Sequence, residues 1–316
     1  MIGTNSNMQS IVEKSPIQKI EDDFLVIRGI QLYIKRDDLI HPEIQGNKWR
    51  KLKYNLQEAQ EKQFKTLLTF GGAYSNHIYA TAAAAEFFKF KSIGIIRGEE
   101  SETLSSTLQF AISKGMELHY MNRETYRHKD EHATIKKLQE QFGEFYLVPE
   151  GGTNNLALKG VAEIIDEIDM DYDYICTACG TGGTLAGLVA GLSGNKKAIG
   201  FSSLKGEDML TPAVNKLVHD FSGQTFTNFN INFNYHFGGY AKVKPELIDF
   251  IKEFKNEYGI QLEPVYTGKM FYGLFDLIKK DYFPTCAKII AVHTGGLQGL
   301  KGFSNYFSES DLGESV

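Results

Sequence analysis

The residues best suited to chemistry gather at three glycine-rich turns, each following an apolar run. The clearest is Cys179-Gly180-Thr181-Gly182-Gly183-Thr184, which leads from the strand-like Tyr174–Thr177 into a helical stretch starting at about Leu185. Glycines let several backbone N–H groups point at one anion, and a helix start adds positive potential. Thr181 and Thr184 can add hydroxyl bonds. The turn reads as a phosphate cup, or else as a tight strand-to-helix turn with a threonine N-cap. The Gly-Lys-Ser/Thr ending of a P-loop is absent. A dinucleotide fingerprint fits poorly, because Leu185 stands at its third glycine and Gly200-Phe201-Ser202-Ser203 replaces the acid that would close the next strand.

The other two turns are Phe70-Gly71-Gly72-Ala73-Tyr74-Ser75-Asn76-His77 and His293-Thr294-Gly295-Gly296. Ser75 opens a helix rich in alanine. It can act as a simple N-cap, or its neighbouring free N–H groups can receive a substrate carboxylate. A fourth segment, Gln45-Gly46-Asn47-Lys48-Trp49-Arg50-Lys51-Leu52, starts a helix with Asn47 as N-cap and Trp49, Leu52 and Leu56 as its buried stripe. Lys48 falls at the first turn, where burial and the positive helix end favour a neutral, nucleophilic amine. Taken alone, it reads rather as one of several surface lysines, since Lys51 and Lys53 follow.

Two further constellations point elsewhere. Cys176 and Cys179 have redox-pair spacing but end an apolar strand and lack a second pair, so they read as buried structural thiols. His128 and His132 lie among charges and read as a solvated helical face. No metal is expected.

The elements that must position these turns alternate. Strands are expected at Thr66–Phe70, Ser92–Arg97, Glu117–Met121, Phe145–Val148, Tyr174–Thr177, Ala198–Phe201 and Lys288–His293, with helices such as Ser105–Lys114, His132–Phe142 and Leu156–Ile168 between them. This rhythm predicts an α/β protein with parallel sheets covered by helices, and ligands outside the carboxyl ends of the strands. Three such loops imply one shared cleft. From Phe229 to Phe237 apolar and polar residues alternate strictly, which predicts a strand with one buried face.

The 316 residues suggest two domains. A net charge of -5 shows no basic face for nucleic acid, and no apolar run suits a membrane. Three cysteines and a polar N-terminus make the cytoplasm the expected compartment.

Together these pieces resemble fold type II pyridoxal-phosphate enzymes, the tryptophan-synthase-β-like group. Within it, the chain is similar to the 1-aminocyclopropane-1-carboxylate deaminase and D-cysteine desulfhydrase family. The resemblance runs from about Ile34 to Leu300. It is carried by Lys35-Arg36-Asp37-Asp38, Gly46-Asn47-Lys48, Gly71-Gly72 with Ser75-Asn76-His77, Gly151-Gly152, Gly180 to Thr184, Tyr266-Thr267-Gly268-Lys269-Met270 and His293-Thr294-Gly295-Gly296. It departs from the family at Ile78-Tyr79-Ala80 and at Gly295-Gly296-Leu297-Gln298-Gly299.

The resemblance implies pyridoxal 5'-phosphate bound covalently to Lys48, which later moves the proton at the substrate Cα. It implies that Gly180, Thr181, Gly182, Gly183 and Thr184 hold the phosphate and that Asn76 bonds the ring hydroxyl. Ser75, Asn76 and His77 would take the substrate carboxylate. Tyr240 and Tyr266 match two active-site tyrosines, Thr267 falls where the ring nitrogen is met, and Thr294 joins the cofactor site. It also implies a homodimer and a larger domain of residues 1–55 and 167–316 around a smaller one of 56–166. Thr267, where ring-opening members carry glutamate, and His77 favour the desulfhydrase branch. A hydroxyl leaves the ring a milder electron sink, which suits β-elimination. The expected reaction converts a small amino acid such as D-cysteine to pyruvate, ammonia and sulfide. Ring opening of 1-aminocyclopropane-1-carboxylate is the alternative, and a non-catalytic amino-acid or cofactor-binding protein is the rival of a different class.

Overall fold

A computed structural model describes residues 14–206 and 209–307. Its strands form two sheets. The larger contains β1 (Ile17–Ile20), β2 (Gln31–Lys35), β7 (Tyr174–Cys179), β8 (Lys197–Ser202), β9 (Phe229–Asn232) and β10 (Lys288–Val292), in the order β1-β2-β10-β7-β8-β9. Only β1 runs antiparallel to its neighbour. The smaller contains β3 (Thr66–Gly71), β4 (Lys91–Arg97), β5 (Met116–Met121) and β6 (Tyr146–Val148), ordered β5-β4-β3-β6 and wholly parallel.

The central strands read as continuous apolar runs because helices cover both faces. On the larger sheet Ile289 and Ala291 point into one core with Ile34 and Phe271, while Ile290 and Val292 point into another with Ile175 and Leu188. The smaller sheet has its own cores, one built by Leu67, Val148 and Ala84, another by Phe70 and Ile95.

Two helices lie between the sheets. Helix Asn47–Glu61 buries Trp49, Leu52 and Leu56 against the smaller sheet's side, and helix Asn155–Asp166 buries Leu158, Val161 and Ile164 against the larger. They touch backbone to backbone at Gly160, where a Cβ would come within 2.0 Å of the Arg50 carbonyl oxygen. The division expected after residue 55 falls inside the first of these helices, and that after 166 at the end of the second.

The alternating segment Phe229–Phe237 is a strand only to Asn232. The Asn232 side chain then accepts from the Asn234 N–H at 2.9 Å, and Phe237 takes a φ of 54°. Local turn chemistry here overrides the period-two pattern. Gly46, not Asn47, caps the Lys48 helix, with a φ of 57° and so little room that a Cβ would lie 2.0 Å from the Thr294 carbonyl oxygen. Among the described residues no helix is long and apolar enough to cross a membrane.

Candidate active site

All three glycine-rich turns leave the carboxyl ends of their strands: Gly72–His77 after β3, Gly180–Thr184 after β7 and Thr294–Gly295 after β10. They line one cleft of about 390 Å³, together with Asn47, Lys48, Lys51, Tyr240 and Tyr266. Its size is that of a small-ligand site.

Lys48 enters from the first turn of its helix. Its amine has no hydrogen-bond partner among the described residues, and burial pulls its pKa down to about 8. A larger share of neutral amine is therefore present near neutrality than for an ordinary lysine. One turn on, Lys51 is 2% exposed. Its ammonium donates to the Gly151 carbonyl and the Thr153 hydroxyl, both at 3.2 Å, and no described carboxylate meets it. Burial and then the charge of Lys48 hold its pKa well below the usual lysine value.

Lys51 faces the glycine cup. A Cβ on Gly183 would lie 3.0 Å from its Nζ and 2.8 Å from the Thr153 side chain, so position 183 is a cradle that only glycine leaves open. Gly182 opens helix Gly183–Leu192 in the left-handed region, at φ 81°. Thr153 and Thr181 share a hydrogen bond at 2.8 Å, and Asn47 donates to the Thr184 hydroxyl at 2.8 Å. Free N–H groups, hydroxyls and an unneutralised ammonium converge on one spot, which is the chemistry a phosphate requires.

Ser75 caps helix Asn76–Phe87, accepting from the His77 and Ile78 N–H groups at 3.2 and 3.3 Å. Asn76 accepts from Gln298 at 2.7 Å through its Oδ1, which leaves its NH2 as a donor in the cleft. Gln298 belongs to the stretch that departs from the family pattern. His77 lines the cleft, but its Nε2 lies 2.7 Å from the Thr69 hydroxyl, which itself donates to Val148. That hydroxyl has one proton, so Nε2 must be the donor and Nδ1 the bare acceptor, buried without a partner. Burial, then Lys48 and Lys51, keeps the ring neutral by lowering its pKa well below 6.5.

Tyr266 and Tyr240 close the far side, edge to face with centroids 6.1 Å apart. Burial raises both phenol pKa values. Tyr266 also packs on the cup, where a Cβ on Gly180 would sit 3.1 Å from its ring.

Thr267 is not brought to the cleft. It is wholly buried, and its hydroxyl is tied to Glu263, accepting from the Glu263 N–H at 3.0 Å. Glu263, equally buried, accepts from the Val265, Tyr266 and Thr267 N–H groups at 2.7, 2.8 and 2.7 Å. These orphan donors of a helix start claim the carboxylate, and Thr267 completes the knot. Thr294, by contrast, does line the cleft. Lys51 and Glu263 were both missed in the sequence. Lys51 looks there like a surface lysine, and its small neighbours Gly151, Thr153 and Gly183 come from distant segments.

A lysine amine beside a phosphate cup, at the carboxyl ends of parallel strands and between two helix-covered sheets, defines a pyridoxal-phosphate enzyme of fold type II. Residues 11–295 match the family described as pyridoxal-phosphate dependent enzyme. The chain is 33% identical to the bifunctional D-cysteine desulfhydrase/1-aminocyclopropane-1-carboxylate deaminase, mitochondrial, of Arabidopsis thaliana, over 91% of this chain and 79% of that one. It is 34% identical to a putative 1-aminocyclopropane-1-carboxylate deaminase of Pyrococcus furiosus, over 90% of each. A crystal structure of an ACC deaminase homologue superposes with a TM-score of 0.83 at 30% identity, over 93% of both chains. The chain belongs to the 1-aminocyclopropane-1-carboxylate deaminase and D-cysteine desulfhydrase family of pyridoxal-phosphate enzymes.

Proposed function

We propose that this enzyme removes the amino and thiol groups of D-cysteine, taking up one water and releasing pyruvate, ammonia and hydrogen sulfide. The observation that carries this reading is the donor set of the cleft: Lys48 lines it together with an anion cup, a helix start, Tyr240, Tyr266 and Thr294. Lys48 would hold the cofactor covalently, Gly180 to Thr184 with Lys51 its phosphate, and the Asn76 NH2 its ring oxygen. Thr294, rather than Thr267, would meet the ring nitrogen.

When bound, pyridoxal phosphate supplies an electron sink for the substrate Cα. The chain's own groups do the rest. The Lys48 amine takes the proton from Cα. The Ser75 hydroxyl and the Asn76 N–H orient the substrate carboxylate, with the His77 imidazole fixed neutral behind them. The phenols of Tyr240 and Tyr266, raised in pKa by burial, stay protonated and can give a proton to a departing sulfur.

The same reading takes residues 1–55 with 167–316 as the cofactor domain, 56–166 as the smaller domain, and the protein as a cytoplasmic homodimer. The test is to purify the protein with pyridoxal phosphate, record its visible absorption and add D-cysteine or 1-aminocyclopropane-1-carboxylate separately. A visible band, with sulfide and pyruvate from the first compound, is expected, and both vanish in Lys48→Ala. Release of 2-oxobutanoate from the second compound alone would make ring opening the function. A band without turnover of either would favour a binding protein. Full turnover by Lys48→Ala would sink the mechanism.

A further inference from the structure

Tyr240 stands on a backbone that does not hold itself. Phe237, Gly238, Gly239 and Ala241 all have positive φ, at 54°, 104°, 120° and 53°. Two of these four are not glycine, so the loop is strained. Two turns fold it, closed by the Gly239 N–H to the His236 carbonyl at 3.0 Å and the Lys242 N–H to the Gly239 carbonyl at 3.1 Å.

Both of those carbonyls have a second donor. Lys269, 1% exposed, reaches His236 O at 2.9 Å and Gly239 O at 2.7 Å with one ammonium. Lys269 belongs to helix Thr267–Lys279, which begins immediately after Tyr266. The same helix grips the loop twice more: Tyr272 packs edge to face on Phe237 at 4.9 Å, and Asp276 accepts from the Tyr235 hydroxyl at 2.6 Å. A buried lysine held by carbonyls, with no carboxylate ion pair among the described residues, costs stability, and packing alone does not call for it.

We propose that Lys269 is a positioning residue for Tyr240. It fastens both turns of the Tyr240 loop to the helix that starts beside Tyr266, so the two phenols are presented to the cleft as one unit. The inference rests on the proposed role of Tyr240 in turnover.

The test compares Lys269→Met, Lys269→Arg, Tyr240→Phe and the Lys269→Met/Tyr240→Phe double variant as holoenzymes, with amide hydrogen exchange of residues 234–244 measured alongside. In Lys269→Met we expect faster loop exchange, a retained visible band and a kcat lower by up to about 100-fold, the scale for misplacing a reacting group by about 1 Å. KM should change less than kcat. Lys269→Arg, which keeps donors for both carbonyls, should recover part of the exchange protection and of kcat. The double variant should be no slower than the worse single variant, because the lysine acts through the tyrosine. Multiplying effects, or loop exchange unchanged in Lys269→Met, would overturn the proposal. If Tyr240→Phe turns over as fast as wild type, the role given to Tyr240 fails instead, and the exchange data still report whether Lys269 pins the loop.

Discussion

Helix Asn47–Glu61 carries inward-facing cations of two kinds, Arg50 and Lys51 buried and Lys48 half-buried. Arg50 points to the back of the helix, where Asp37 accepts two of its N–H bonds at 3.1 and 2.9 Å and Glu167 accepts two more. Lys35 joins the same cluster, donating to Glu167 at 2.6 Å. Burial pulls the Arg50 pKa down, but Asp37 and Glu167 outweigh it and hold it above its ordinary value. Lys48 and Lys51 point to the front and meet no carboxylate among the described residues, and their pKa values fall. Burial is common to both faces. What differs is counter-charge: the back is a finished structural network, and the front leaves positive charge for an anion to complete.

Breaking the finished side should have the largest effect. Arg50→Met strands the buried Asp37 without its cation and leaves the half-buried Glu167 with Lys35 alone. The loss is expected at about 3–5 kcal/mol, read as a drop in the denaturant midpoint of both apo- and holoprotein. An apoprotein of wild-type stability would show that the network contributes nothing to holding the helix.

Removing a charge from the open side should act in the opposite sense on the apoprotein. Lys51→Met relieves an unpaired buried ammonium, so the apo form should keep or gain stability. Cofactor binding should weaken by roughly 10- to 100-fold, since a hydrogen bond to a charged group contributes about 1.5–3 kcal/mol. Equilibrium titration with pyridoxal phosphate checks this. Unchanged affinity would remove Lys51 from the phosphate site.

The smallest effect is one of pH. The Lys48 pKa falls to about 8 in the folded chain, from an ordinary value of 10.5. Between these values the unfolded chain binds more protons, so Lys48 makes apoprotein stability rise as pH increases through that window. Comparing the unfolding midpoints of wild-type apoprotein and Lys48→Ala at two pH values isolates the contribution. It should disappear when the cofactor occupies the amine. A slope equal in the two proteins would mean that Lys48 is not desolvated.

Much of this front face can be read in the sequence. The glycine turns after apolar strands, the N-cap at Ser75 and the lysine at a helix start are local patterns, and local patterns survive without neighbours. Partnership does not. Arg50, Lys51 and Lys53 look alike in sequence, yet one is neutralised by two acids, one by none, and Lys53 by Glu163 at 2.7 Å. The absence of Thr267 from the cleft has the same origin. Its hydroxyl is claimed by Glu263, an isolated acid four residues before it whose N–H partners become evident only when the helix start is seen. A Thr267→Glu change, attractive from sequence as a way to favour ring opening, would place a second carboxylate against a buried one. The short strands β1, at the sheet's edge, and β2, beside it, are not evident in the sequence because runs of four or five residues carry little periodic signal.

The strand order also governs when the site can exist. β10 lies between β2 and β7, and its exit loop clamps the approach to Lys48: the Asn47 N–H bonds Thr294 O at 3.3 Å, and Gln45 accepts from the Gly296 and Leu297 N–H groups, both at 3.1 Å. A chain leaving the ribosome N-terminus first has all four strands of its smaller sheet in hand once residue 148 has emerged. The segment that bears Lys48 must wait for nearly 150 residues more before its dock is synthesised. The cleft is thereby completed late in synthesis, and a nascent chain stalled before β10 would be a half-built scaffold with Lys48 unseated.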